Sequence, residues 1–256
     1  MAVALTVIGC SSGQPQAGMA TSGYVLKEGE SLSLIDCGGG VTSSFLSHGF
    51  DPFKLDRIFI SHTHADHCCE LPLMIQLLHV LSTGRILDIF VPDEYVRPLM
   101  AQLNAMYLFP QHLRVEPLIH GYGDGFGYLG DSFRLVAHAN THLEKSAAII
   151  EQYDIPNRMQ CHSFRIETDS GALLYSADLG SLNDIIDLIP GLTAAIVEST
   201  HIDLARFFAL AREHRQCRFV LTHLGEADEV TRLRGRITES GQENIELAVP
   251  GLSIGF

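Results

Sequence analysis

Basic residues are scarce in this chain of 256: 17 Lys and Arg stand against 30 Asp and Glu, a formal charge of −13. Such a balance excludes a protein that grips a nucleic-acid backbone over a wide surface, since that grip needs cations matched to phosphates. Long apolar runs are missing too, and none nears the roughly 18–20 residues that span a bilayer. The sequence has no low-complexity tract, block of like charge or internal repeat, which excludes a disordered tail or a solenoid. Met1 to Gly9 is apolar without a basic n-region or an A-x-A-like site, and reads as a strand rather than a signal peptide. A disulfide framework is absent as well. The six Cys, at 10, 37, 68, 69, 161 and 217, are scattered, with one adjacent pair, so the thiols are expected reduced and the protein cytoplasmic.

What is present is a core-forming composition, 46% hydrophobic and 18% charged, and a load of 13 His. The first half reads as strands broken by small-residue turns. Val3–Ile8 ends in Gly9-Cys10-Ser11-Ser12-Gly13; Gly23–Leu26 and Ser31–Ile35 pair around Glu28-Gly29-Glu30. Leu55–Ile60 is a buried-strand pattern, Leu71–Leu81 has helical spacing, and Asp93 is placed to cap a helix through Asn104. Phe133–Val136, Ser163–Thr168, Leu173–Ser176, Thr193–Glu198, Phe219–Thr222 and Glu246–Val249 read as strands, with helices at 182–189, 202–214 and 226–235. This order predicts an α/β protein whose sheets are covered by helices. Residues 143–160 fit neither pattern and read as an insertion.

One stretch carries chemistry. Ile58-Phe59-Ile60 delivers Ser61-His62-Thr63-His64-Ala65-Asp66-His67, four candidate ligands in six residues at the polar end of a strand. Residues two apart on extended backbone point the same way, so His62 and His64 can clasp one ion. The turn into a helix then aims Asp66 and His67 at a second ion. Imidazole with carboxylate and no thiolate suits Zn²⁺, with Mn²⁺ or Fe²⁺ as alternatives.

The motif resembles the signature of the metallo-β-lactamase superfamily. With Gly9-Cys10-Ser11-Ser12-Gly13 and Leu34-Ile35-Asp36-Cys37-Gly38-Gly39-Gly40, the N-terminal half resembles its ribonuclease Z-like branch. The resemblance covers nearly the whole chain. It implies a single αββα sandwich domain over 1–256 with a dinuclear metal site, the insertion at about 143–160 lying near its rim.

The same resemblance implies the remaining ligands. A third His for the first metal follows the strand at Phe133–Ala137, where His138, His142 and His162 are available; the ribonuclease Z-like pattern selects His142. Asp178, in Tyr175-Ser176-Ala177-Asp178-Leu179-Gly180, would bridge both metals, and His223 would complete the second. Metal one then takes His62, His64 and His142; metal two takes Asp66, His67 and His223. His201 stands 22 residues before His223, the spacing of the general-acid His in such enzymes, with Glu198 orienting it. Asp66 would orient a metal-bridged hydroxide for attack.

Two departures bear on substrate. Where ribonuclease Z usually reads Glu-Gly-Thr-Gln, this chain has Gly39-Gly40-Val41-Thr42, and it carries no long Gly- and Lys-rich arm. The expectation is a dinuclear phosphodiesterase acting on a small anionic substrate, a cyclic nucleotide or a small organic phosphodiester, rather than long RNA. Lactone or thioester hydrolysis is the alternative, and a non-enzymatic accessory or sensor protein a further one. No membrane partner is expected; a homodimer is. The insertion is a lid, a dimer contact or a plain loop.

Overall fold

The computed structural model describes residues 3–256. They divide into two compact units, one running to Gly123 together with Val249–Gly255, the other Asp124–Ala248 with Phe256. Each is built on one seven-stranded mixed sheet flanked by helices.

The first unit holds strands β1 Val3–Gly9, β2 Gly23–Glu28, β3 Ser31–Ile35, β4 Leu55–Phe59, β5 Ile86–Pro92 and β6 Glu116–Tyr122 in sequential order. The chain's last strand, Ser253–Gly255, lies against β1. Pairing is antiparallel as far as β3 and parallel from β3 to β6. Helices α1 Val41–Ser47, α3 Leu71–Val80 and α4 Val96–Ala105 follow, with the short α2 Ala65–Cys68 ahead of α3. On α3, Leu71, Met74, Ile75 and Leu78 repeat at helical spacing, and all sit in one core with Phe45, Leu99, Ile58 and Ile89. Each such side chain contributes about 1.5–3 kcal/mol on burial. α1 has no side-chain cap of its own. Glu70 supplies one, its carboxylate accepting from the amides of Gly40 (2.7 Å) and Thr42 (2.8 Å).

The second unit mirrors this plan. Its strands are β7 Gly127–Leu129, β8 Arg134–Ala139, β9 His162–Glu167, β10 Ala172–Tyr175, β11 Ala194–Glu198, β12 Arg218–Thr222 and β13 Ile245–Leu247, ordered from β13 down to β7. Pairing is antiparallel from β7 to β10 and parallel from β10 to β13. Its helices are α5 Ala147–Tyr153, α6 Leu204–Glu213 and α7 Ala227–Ser240. Asp203 caps α6 through the amides of Ala205 and Arg206, and Phe207 meets Phe219 of β12 edge to face at 5.5 Å.

Several elements differ from the sequence reading, the strand Ser253–Gly255 and helix α5 among them. Asp93 caps no helix: Asp93–Tyr95 is a 3-10 turn and α4 begins at Val96, because Pro98 has no amide to give an earlier turn. β6 escaped notice because Pro117 and partial exposure hide its alternation; an edge strand tolerates both. β7 has only three residues. Residues 182–189 form two 3-10 turns, the first closed by a Ser181–Asp184 capping box. The insertion is helical at 143–153 and irregular from 154 to 160, with Ile149 and Tyr153 exposed. Among the described residues no helix is long and apolar enough to cross a membrane.

Phe45 is fully buried, whereas Val80 is 67% exposed. Phe45→Ala is expected to cost about 3–5 kcal/mol in denaturant unfolding and Val80→Ala within about 0.5 kcal/mol. Equal losses would show that this core does not carry the unit.

Candidate metal centre

The first unit presents its ligand types where β4 ends. Tyr122 donates its hydroxyl to the carbonyl of Ile60 at 2.6 Å, fixing the point from which Ser61 to His64 leave the sheet. Asp36, at the end of β3, is fully buried and receives three bonds: the amide and hydroxyl of Ser61 (2.7 and 2.8 Å) and Nδ1 of His67 (2.7 Å). Ser61 has only one hydroxyl proton, so its oxygen accepts from His62 Nδ1, 3.1 Å away. Both imidazoles therefore carry their proton on Nδ1 and a lone pair on Nε2. The rings of His62 and His67 lie 4.1 Å apart, and those of His62 and His64 4.9 Å. His67 Nε2 is 3.5 Å from Asp66 Oδ2, with Ser22 Oγ at 3.3 Å.

The turn that carries Asp66 and His67 is pinned from behind. The Asp66 carbonyl accepts from Thr21 Oγ1 (2.8 Å) and the Ser22 amide (3.1 Å), and the His67 carbonyl from the Cys37 amide (2.7 Å). A Cβ at Gly38 would stand 1.9 Å from the Asp66 carbonyl oxygen, so glycine alone lets this backbone approach.

The second unit gathers the other ligand types at the ends of β10, β11 and β12 and after β8. His142 follows β8; its amide donates to Asn140 Oδ1 (3.1 Å) and its Nδ1 to the Leu179 carbonyl (3.3 Å). Asp178 follows β10 through Ala177, whose φ is +51°. His223 follows β12 with φ +56°. Thr200 Oγ1 gives its proton to the His223 carbonyl (2.8 Å) and so accepts from His223 Nδ1 (3.2 Å). Again Nδ1 is the donor and Nε2 the lone pair.

These lone pairs converge on a carboxylate. His142 Nε2 lies 3.5 Å from Asp178 Oδ2, and His223 Nε2 3.4 Å from Asp178 Oδ1. Both separations exceed an ordinary hydrogen bond, and a lone pair facing a carboxylate is unfavourable with nothing between. Ligand bonds of about 2.0–2.2 Å in tetrahedral array hold neighbouring donor atoms about 3.3–3.6 Å apart. The residues therefore fit divalent ions, with one oxygen of Asp178 turned to each of two histidines. Of the three candidates for this position, His142 is the one set against Asp178; His138 stays within β8 and His162 opens β9.

Glu198 and His201 lie beside them. Glu198 is buried, and its carboxylate accepts from the amides of Thr200 (2.6 Å) and His201 (2.9 Å), with His201 Nδ1 at 3.3 Å. The His201 side chain is 30% exposed and 4.0 Å from Asp178, and its ring centroid is 4.8 Å from that of His142. The hydrogen bond to Glu198 raises its pKa above the usual 6.5, helped by the charges of Glu198 and Asp178; partial burial and Lys145, from the insertion, oppose.

Sequence reasoning gave no role to Asp36, Ser61 or Thr200. Asp36 had a signal, a carboxylate at a strand end ahead of three glycines; the other two are common hydroxyls whose role depends on what folds against them.

Two outcomes follow. Asp36→Ala strands three buried donors, and zinc affinity is expected to fall about 10–100-fold in chelator competition; unchanged affinity would remove Asp36 from the ligand support. In metal-free protein, NMR titration should find His201 titrating above 6.5, protonated as pH rises past the point where a free His is half neutral. Glu198→Gln should move that midpoint down; no movement would mean that Glu198 does not hold the proton there.

Known proteins bear on this arrangement. The family described as anti-Pycsar protein Apyc1 matches residues 3–198. The chain is 44% identical over 68 residues to a probable metallo-hydrolase, YhfI, of Bacillus subtilis, covering 26% of this chain and 27% of that protein. It is 36% identical over 177 residues to a ribonuclease Z of Synechococcus, covering 68% of this chain and 52% of the relative. The matched stretch thus spans between a quarter and about half of these relatives. Among solved structures, the metallo-β-lactamase fold protein YhfI of Bacillus subtilis superposes with a TM-score of 0.79 at 22% identity, over 100% of both chains. The α/β fold expected from the sequence is therefore that of the metallo-β-lactamase type. The chain is a ribonuclease Z-like member of the metallo-β-lactamase superfamily and belongs to the anti-Pycsar protein Apyc1 family.

Proposed function

We propose that the protein is a metal-dependent hydrolase that cleaves a small phosphodiester, a cyclic nucleotide or a small organic phosphodiester. The observation that carries this reading is the pair of contacts around Asp178, each oxygen 3.4–3.5 Å from a different histidine lone pair. A carboxylate so flanked suits a bridging ligand. His62, His64 and His142 would hold one ion, and Asp66, His67 and His223 the other, with Asp178 shared. Imidazole and carboxylate donors favour Zn²⁺, with Mn²⁺ or Fe²⁺ as alternatives. When bound, two such ions supply a Lewis acid for phosphoryl oxygens and a water of lowered pKa.

The chain's own groups do the rest. Asp36, Ser61, Leu179 and Thr200 keep the imidazoles in the tautomer that offers Nε2. Asp66 orients the attacking water. His201, its Nδ1 tied to Glu198, carries on Nε2 a proton to give to the departing oxygen, and Glu198 fixes the ring. The kinship with ribonuclease Z supports phosphodiester chemistry, whereas the charge of −13 and the absence of a basic arm from the sequence favour a small substrate over long RNA.

The test is metal content followed by turnover of bis(p-nitrophenyl) phosphate beside lactone and thioester panels. His201→Ala is expected to cut diester turnover by about 10²–10⁴-fold with metal retained, and Asp178→Ala to lose metal itself. Turnover of lactones or thioesters alone would overturn the phosphodiesterase reading; loss of diester turnover through loss of metal in His201→Ala would remove its role as proton donor.

A further inference from the structure

The second unit contains a cavity of about 290 Å³, and of its lining the chemistry above uses only Thr200. One side is formed by Ser199-Thr200 and Leu224-Gly225, the segments that leave the carboxyl ends of β11 and β12. Parallel sheets characteristically receive ligands outside those ends. Thr200 adjoins His201 and Leu224 adjoins His223, and neighbouring Cα atoms are about 3.8 Å apart, so the cavity begins one residue from both.

The opposite wall is α7. Glu229, Arg232, Leu233 and Arg236 line the cavity at spacings of three, four and seven along one helix face. The Arg236 guanidinium is seated over the Phe208 ring, 5.4 Å from its centroid. Glu229 lies so close to Gly225 that a Cβ there would be 1.7 Å from its carboxylate oxygen; a glycine at 225 is what admits the carboxylate. Leu204, Leu224 and Leu233 supply apolar surface.

This lining selects among ligands. A second anionic group would meet Glu229, and a plain hydrocarbon would desolvate two guanidinium groups and a carboxylate without return. A flat, neutral heteroaromatic ring satisfies all of them: leucines on its faces, arginine forks on its carbonyl or ring-nitrogen acceptors, and Glu229 on an amino or ring N–H donor. We propose that Glu229, Arg232 and Arg236 determine selectivity by receiving the base-like ring of the phosphodiester substrate. This rests on the function proposed above.

The experiment compares the wild type with Arg232→Met and Glu229→Gln, both changes on an exposed helix face. It reads the ratio of kcat/KM for 3′,5′-cyclic AMP to that for bis(p-nitrophenyl) phosphate, whose rings offer no donor. The ratio should fall about tenfold in each variant, mostly through KM; a ratio unchanged within about twofold would overturn the proposal. If the wild type hydrolyses neither ester, the hydrolase reading fails on its own, and calorimetry with adenosine 5′-monophosphate decides the subsite. A Kd weakened about tenfold in Arg232→Met supports it; equal affinity, or no binding to the wild type, overturns it.

Discussion

The candidate metal centre depends first on where four of its histidines keep one proton. Each of His62, His67, His142 and His223 donates Nδ1–H to an acceptor supplied by its own unit: Ser61, Asp36, the Leu179 carbonyl and Thr200. That leaves the lone pair on Nε2, the nitrogen through which each of these rings can then take a metal. The cost is visible in the backbone. Asp36, Ala177 and His223 all have φ between +51° and +58°, a region that costs a residue with a side chain on the order of 1–3 kcal/mol. The strain falls on one residue that holds the candidate ligand His67, one that precedes the candidate ligand Asp178, and one, His223, that is itself a candidate ligand. Rigid flanking strands keep such conformations in place.

The two sheets make the same provision by the same means. In each, most candidate site residues lie at the carboxyl ends of strands in the parallel half; His142, after the antiparallel β8, is the exception. Asp36 follows β3 and the histidine motif follows β4; Asp178 follows β10, Glu198 ends β11 and His223 follows β12. Parallel neighbours end side by side, so carboxyl-end loops of adjacent strands are brought together without long-range design. Hydrogen bonds then tie them pairwise: Ser61 to Asp36 across β4 and β3, and the Glu198 amide to Ser176 Oγ across β11 and β10 (3.0 Å).

This explains what was legible in the sequence. His62, His64, Asp66 and His67 were readable because all four sit in one turn, where spacing alone fixes direction. β4 was readable as a buried-strand pattern despite Asp56 and Arg57, and β11 and β12 from their apolar runs Ala194–Val197 and Phe219–Leu221. His142, Asp178 and His223 came only through family resemblance, since nothing in 36 or 45 residues of separation shows that their side chains meet. The supports were less legible still. Thr200 is one of many threonines until the sheet puts its hydroxyl 3.2 Å from His223 Nδ1. β6 and the turns at 182–189 were hidden because proline, exposure and capping set their form, not periodicity.

The acidic charge is compatible with an anionic substrate once range is considered. At physiological salt the Debye length is about 8 Å, so a small phosphodiester at its site feels the nearest groups and little of the chain's −13. A long nucleic acid would lie across that acidic surface and meet it charge by charge. Under the function proposed here, the same sequence charge that turns a polyanion away leaves a small ester to be governed by two cations, by His201 and Lys145, and by the arginines of α7. Under that function, net charge would filter substrates by size and the local donor set would filter them by chemistry.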